Sequence, residues 1–189
     1  MSEQENTHYD ILVGSNIPKI PNVNFRVREL GEWVDTNTDT YFKGKKVILF
    51  SLPGAFTPTC SNEQLPGFDK QAAAFKEYGI DEIYCMSVND SFVMNAWATD
   101  QKLENVKMIP DGNGEFTKGM GMLVEKQNLG FGQRSWRYAM IVNDGDIEVM
   151  FVEFGKKDDL AGEAILSSGD PYGESSPESV LKYLKDFKG

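Results

Sequence analysis

Between residues 25 and 30 apolar and polar side chains alternate as Phe25-Arg26-Val27-Arg28-Glu29-Leu30, and Gly31-Glu32 leads into Trp33-Val34. A period of two broken at a glycine predicts a β-hairpin. After Gly44 and the pair Lys45-Lys46 comes Val47-Ile48-Leu49-Phe50, an unbroken apolar run that predicts a central strand buried on both faces. Leu65, Phe68, Ala72 and Phe75 then recur at helical spacing. They predict a helix after Cys60 with its apolar stripe on the sheet, kinked near Pro66 and stopped at Gly79. Ile83 to Val88 reads as a second strand. Asn89-Asp90-Ser91 offers a cap for a helix from Phe92 to Ala98, and Lys107 to Pro110 reads as a third strand before a turn over Asp111-Gly112-Asn113-Gly114.

Residues 116 to 135 are glycine-rich and show neither period. Trp136 to Val142 and Ile147 to Phe154 flank Asn143-Asp144-Gly145-Asp146 and predict a hairpin of two long strands. Residues 155 to 176, rich in Gly, Ser, Asp and Pro, read as a solvated surface excursion. Ser176-Pro177-Glu178 starts a last helix with Val180, Leu181, Leu184 and Phe187 inward. Residues 1 to 15 are polar and aperiodic and read as a poorly ordered arm; residues 16 to 189 read as one domain. The order is hairpin, βαβαβ, antiparallel hairpin, helix. Right-handed crossovers then give an α/β protein with a central mixed sheet flanked by helices, the outline of a thioredoxin-like fold with an N-terminal β-hairpin addition.

A chain of 189 residues with 40% hydrophobic and 25% charged residues can bury one substantial core. A formal net charge of −10 disfavours nucleic acid or an anionic membrane as a main partner. The first residues show no signal-peptide pattern, and no apolar run approaches the roughly 20 residues of a membrane span. A cytoplasmic, reducing setting is therefore expected, in which the two cysteines form no stable disulfide framework.

The residue types limit the chemistry. One histidine, His8, lies in the polar arm, and the cysteines sit in different elements, so no metal-ligand set and no imidazole-activated thiol is expected. Nor does any glycine-rich run follow a strand as a nucleotide loop would. What stands out is Pro53-Gly54-Ala55-Phe56-Thr57-Pro58-Thr59-Cys60, a loop between the apolar strand and the next helix. A cysteine there lies near unpaired N–H groups and the positive end of the helix dipole, which favour a thiolate. Thr57 lies one turn before Cys60, and Pro53 and Phe56 are placed to wall the sulfur from water. Glu63 would oppose a thiolate, so a cation is needed from elsewhere, and Arg134 and Arg137 are the natural suppliers.

The pattern Pro53-x-x-x-Thr57-x-x-Cys60 resembles the peroxiredoxin active-site motif. The longer PGAFTPTC…LPGF form resembles the peroxiredoxin V branch that uses glutathione and glutaredoxin. Similarity continues through Ser87 to Val93, Pro110 to Phe116 and Arg134 to Met140, covering residues 16 to 154 densely. The resemblance implies a thiol peroxidase that reduces hydrogen peroxide and alkyl hydroperoxides and leaves sulfenic acid on Cys60. It implies Cys60 as peroxidatic nucleophile, Thr57 as the hydroxyl orienting sulfur and peroxide, and Pro53 as the shield. Arg137 would lower the thiol pKa and bind the peroxide oxygens. Arg134, three residues earlier, should face the other way on a continuous strand; a surface salt bridge and a role steering Arg137 both stay open.

Cys85, inside Ile83-Tyr84-Cys85-Met86, reads as a small core residue, with a resolving cysteine as the alternative. No cysteine follows it, so the resemblance implies a one-cysteine enzyme with no bound cofactor. Glutathione would be the reducing co-substrate, a separate glutaredoxin the partner, and the assembly a homodimer. Phe92, Trp97, Met120, Met122 and Phe131 are candidates for either core or subunit contact. Two other readings on the same fold are a thiol–disulfide oxidoreductase and a non-enzymatic redox-sensing or partner-binding module.

Overall fold

In the computed structural model, residues 11, 12, 14, 17–156 and 170–188 are described. Three strands run parallel, from the middle of the sheet to one edge: β4 (Lys46–Ser51), β5 (Glu82–Ser87) and β6 (Val106–Pro110). Ahead of them lie β1 (Ile11–Leu12), β2 (Asn24–Glu29), β3 (Glu32–Asn37) and α1 (Thr38–Phe42). β4 and β5 are joined through α2 (Leu65–Lys70) and α3 (Ala72–Lys76), and β5 and β6 through α4 (Ser91–Asp100). Then come α5 (Glu115–Gly119), β7 (Leu123–Glu125), β8 (Gln133–Ser135), β9 (Tyr138–Asn143), β10 (Asp146–Val152) and α6 (Pro177–Lys188). The six-stranded sheet runs β1-β10-β9-β4-β5-β6, with β4–β5 and β5–β6 parallel and β9 antiparallel to both β4 and β10. This is the expected mixed sheet, and the N-terminal hairpin is β2–β3 in continuous register from Asn24↔Asn37 to Glu29↔Glu32.

Successive residues of β4 serve opposite faces, which is why its run is apolar throughout. Ile48 and Phe50 join Phe68, Phe75, Trp97 and Leu184 on one face. Val47 and Leu49 join Phe25, Phe42 and Phe116 on the other. Phe50 stacks on Phe68 at 4.2 Å between ring centroids. Cys85 lies in the first core, on the same face as Cys60.

Several expectations are corrected. The arm read over 1 to 15 contains β1, which pairs Ile11 with Phe151 and Leu12 with Met150; His8 lies outside the described residues. The helix after Cys60 is not broken at Pro66 alone. Pro66 has no N–H for the carbonyl of Asn62, and the ladder shifts by one residue into a π turn over Cys60–Gln64, Leu65 N–H bonding the Cys60 carbonyl. A second break at Gln71 separates α2 from α3, and Gly79 at φ +82° ends the turn that follows. The unassigned stretch 116 to 135 includes most of α5 and the short β7–β8 hairpin. The strand read from Trp136 starts at Tyr138. Phe187, expected inward, is 70% exposed and lies against Tyr183, while Val180 and Leu184 are fully buried. Trp97, Met120 and Met122 are core, whereas Phe92 is exposed and packs edge-on against Trp33.

Candidate active site

Strand β4 ends at Ser51, and the loop after it is held from three sides. Asn89 Oδ1 accepts from Ala55 N–H at 3.1 Å and from Ser87 Oγ at 2.6 Å. Arg134 Nη1 donates to the Pro53 carbonyl at 3.1 Å, and Thr57 Oγ1 donates to the Gly54 carbonyl at 2.7 Å. The helix then opens at Pro58, with Ser61 N–H donating to the Thr57 carbonyl at 2.9 Å. First-turn N–H groups of Thr59 and Cys60 have no helical carbonyl to donate to. Pro53 is buried, while Phe56, at φ +63°, is half-exposed and packs toward Trp97. Of the expected wall only Pro53 is buried.

Cys60 is fully buried, and the fork of Arg137 closes on it: Nη1 and Nη2 each donate to Sγ at 3.4 Å. Trp136-Arg137 lie between β8 and β9, so the strand is interrupted and the alternation that would have sent Arg134 to the opposite face does not apply. Arg134 also donates from Nε to the Phe131 carbonyl at 3.1 Å. Burial lowers the pKa of Arg134 and the charge of Cys60 opposes that shift, which places it within electrostatic reach of the sulfur rather than in a surface salt bridge. For Arg137, burial again pulls the pKa down, but Cys60 and Asp170 outweigh it and the net direction is upward.

Sequence reasoning missed Gln64, Asp170, Tyr172, Ser175 and Glu153. Gln64 Oε1 accepts from Arg137 Nη1 at 2.5 Å, and its Nε2 donates to the carbonyl and Oγ of Ser175, both at 3.3 Å. Asp170 Oδ1 accepts from Arg137 Nη2, and the Tyr172 ring lies 5.8 Å from the guanidinium carbon. Glu153, 4% exposed, accepts on one oxygen from Gly173 N–H at 2.8 Å, Ser175 N–H at 2.9 Å and Ser175 Oγ at 2.8 Å. Residues 170 to 176 are therefore part of the site, which corrects the solvated-loop reading there. Gln64, one helical turn after Cys60, was findable by spacing; Asp170 had no local signal. Cys85 is a free, fully buried thiol, and no cluster of three or more metal-ligating side chains occurs among the described residues.

A parallel βαβαβ core extended by an antiparallel hairpin, with one cysteine at the start of the first crossover helix, defines the thioredoxin-like class of redox proteins. A model of the Redoxin family matches residues 13–165. The chain is 56% identical to a peroxiredoxin of Rhizobium etli over 88% of this chain and 94% of that one. It is 54% identical to the hybrid peroxiredoxin hyPrx5 of Haemophilus influenzae, over 88% of this chain but 64% of the hybrid's length. The crystal structure of the Plasmodium falciparum antioxidant protein, a 1-Cys peroxiredoxin, superposes with a TM-score of 0.81 at 36% identity, covering 90% of this chain and 98% of that one. The chain belongs to the Redoxin family and is a peroxiredoxin of the Prx5 branch. Thiol peroxidase activity goes with that membership. No helix among the described residues is long and apolar enough to cross a membrane.

Proposed function

We propose that Cys60 is the peroxidatic nucleophile and that this peroxidase is recycled by glutathione and a separate glutaredoxin, with no bound cofactor. The observation that carries the first part is the two-pronged donation of Arg137 to a sulfur at a helix start. The thiolate attacks the terminal peroxide oxygen: an S–O bond forms, the O–O bond breaks, and both electrons come from sulfur. The departing hydroxide or alkoxide takes a proton and leaves as water or alcohol. The guanidinium of Arg137, the first-turn N–H of Cys60 and the hydroxyl of Thr57 stabilise charge moving along the O–O axis. Thr57 releases its bond to the Gly54 carbonyl to do so, while Pro53 keeps water from the sulfenic acid and Arg134 fixes the loop carbonyl.

Recycling by glutathione is supported by the resemblance of residues 53 to 68 to the branch that uses it, and by the likeness to the Haemophilus hybrid. Glutathione would displace the hydroxyl of the sulfenic acid as water, and a glutaredoxin thiolate would then take the glutathionyl group. The burial of Cys85 supports a one-cysteine mechanism. A homodimer and a cytoplasmic setting complete the proposal. Peroxide consumption is measured with glutathione plus glutaredoxin and, separately, with thioredoxin and its reductase. Cys60→Ser is expected to abolish turnover, and Cys85→Ser to keep most of it. Full turnover of Cys60→Ser would overturn the nucleophile, and turnover with thioredoxin alone would overturn the reductant.

A further inference from the structure

A guanidinium carries four hydrogens on its two terminal nitrogens, and in Arg137 each has a taker. Nη1 gives one to Sγ of Cys60 and one to Gln64; Nη2 gives one to Sγ and one to Asp170. Gln64 is neutral, and the Tyr172 ring only covers the guanidinium face. The carboxylate of Glu153 is taken up by Gly173 and Ser175. The groups that pair directly with Arg137 and can carry a negative charge are, among the described residues, Cys60 and Asp170.

One of the two is transient. When the sulfur bonds to oxygen, its negative charge departs with the leaving group, and the resulting sulfenic acid is neutral, as is a mixed disulfide. Arg137 has a side chain only 1% exposed, so a step that consumed its sole counter-ion would leave a buried charge unpaired, which is strongly destabilising. Asp170 takes the second hydrogen of Nη2, away from the reacting sulfur, and its side chain is 38% exposed, so the pairing does not pass through the atom that is oxidised. Its position is fixed because the chain three to five residues later is tied to Glu153.

We propose that Asp170 is a permanent counter-ion for Arg137, a positioning residue that keeps the buried guanidinium paired and aimed at Cys60 while the sulfur passes through uncharged states. This rests on Cys60 being the sulfur that cycles. It differs from a structural ion pair because its importance depends on the charge at residue 60.

The test is a thermal-unfolding cycle of wild type, Asp170→Asn, Cys60→Ser and the double variant at about pH 9, above the ordinary thiol value near 8.5. The hydroxyl of Cys60→Ser stands in for the uncharged sulfur. Asp170→Asn is expected to lower Tm by about 3 °C or more beyond its effect in the wild type when Cys60→Ser is present. Asp170→Glu in the Cys60→Ser background should recover most of that loss. A double variant that cannot fold while both single variants do would support the proposal. Equal losses in the two backgrounds would overturn it, and so would failure of Asp170→Asn to fold with Cys60 intact. The cycle reads Tm and not turnover, so it can fail while Cys60→Ser still abolishes peroxidase activity, and it can succeed when the reductant is wrong.

Discussion

Gly54 is required by a contact rather than by backbone conformation. A Cβ there would stand 2.6 Å from Arg134 Nη1 and 3.3 Å from the Thr57 methyl. The obstructing atom ends a flexible side chain, so Gly54→Ala is expected to fold, at a cost of about 1.5 kcal/mol, by pushing Arg134 off the Pro53 carbonyl. Losing a charge-assisted hydrogen bond that fixes the loop should lower the rate of Cys60 oxidation about tenfold, since that bond is worth roughly 1.5 kcal/mol. Stopped-flow oxidation by hydrogen peroxide measures it, and an unchanged rate with Arg134→Ala also silent would remove Arg134 from the site. Cys60, Thr57 and Pro53 stand out in the sequence because one short loop holds them, and the structure buries Cys60 and Pro53 there while the Thr57 hydroxyl bonds the Gly54 carbonyl. Arg137 was legible as the cation the loop lacked. The side of Arg134 stayed open in the sequence because alternation holds only along a continuous strand, and Trp136-Arg137 interrupt it.

The elements differ in what holds them. β4 to β6 and α4 carry their instructions locally: short, largely apolar runs in the strands, and Asp90 accepting from Val93 N–H at 3.0 Å as a cap for the helix. The pairs β7–β8 and β1–β10 do not. Three-residue strands show no period, and two residues of β1 become a strand only because β10 offers an edge. Residues 170 to 176 are the extreme case, because their anchor is the carboxylate of Glu153, 20 residues before Gly173 and just past the end of β10. Glu153→Ala would strand two N–H donors and the Ser175 hydroxyl, and is expected to cost roughly 2–4 kcal/mol. Hydrogen exchange should accelerate at Gly173 and Ser175 well beyond the change in β4. Peroxidase activity should fall with it, because Ser175 holds Gln64 and Gln64 holds Arg137. A stability loss below about 0.5 kcal/mol with exchange unchanged would show that the segment is held some other way.

Across the whole molecule, the two faces of one sheet each fully bury a titratable group that takes no part in the chemistry, Cys85 on one and Tyr138 on the other, and these weaken the fold at alkaline pH. Burial pushes the Cys85 thiol well above its ordinary value; the charge of Cys60 adds to the rise and Arg137 opposes it. Burial also raises Tyr138, with Asp111 adding to it, and its hydroxyl has no hydrogen-bond partner among the described residues. For both groups the folded chain holds its proton where the unfolded chain gives it up. The native state therefore binds more protons than the unfolded one, and stability is fully present below the unfolded pKa and falls as pH rises above it. For Cys85 the fall begins near pH 8.5 with a slope of about 1.4 kcal/mol per pH unit, and Tyr138 joins from about pH 10. Urea unfolding between about pH 7.5 and 9.5 in a Cys60→Ser background, where Cys85 is the remaining thiol, isolates the first term. Adding Cys85→Ala should flatten the profile over that range even though the smaller side chain lowers stability at every pH. A flat profile with Cys85 present would mean that its thiolate is tolerated in the folded protein, and the one-cysteine proposal would lose the burial on which it leans.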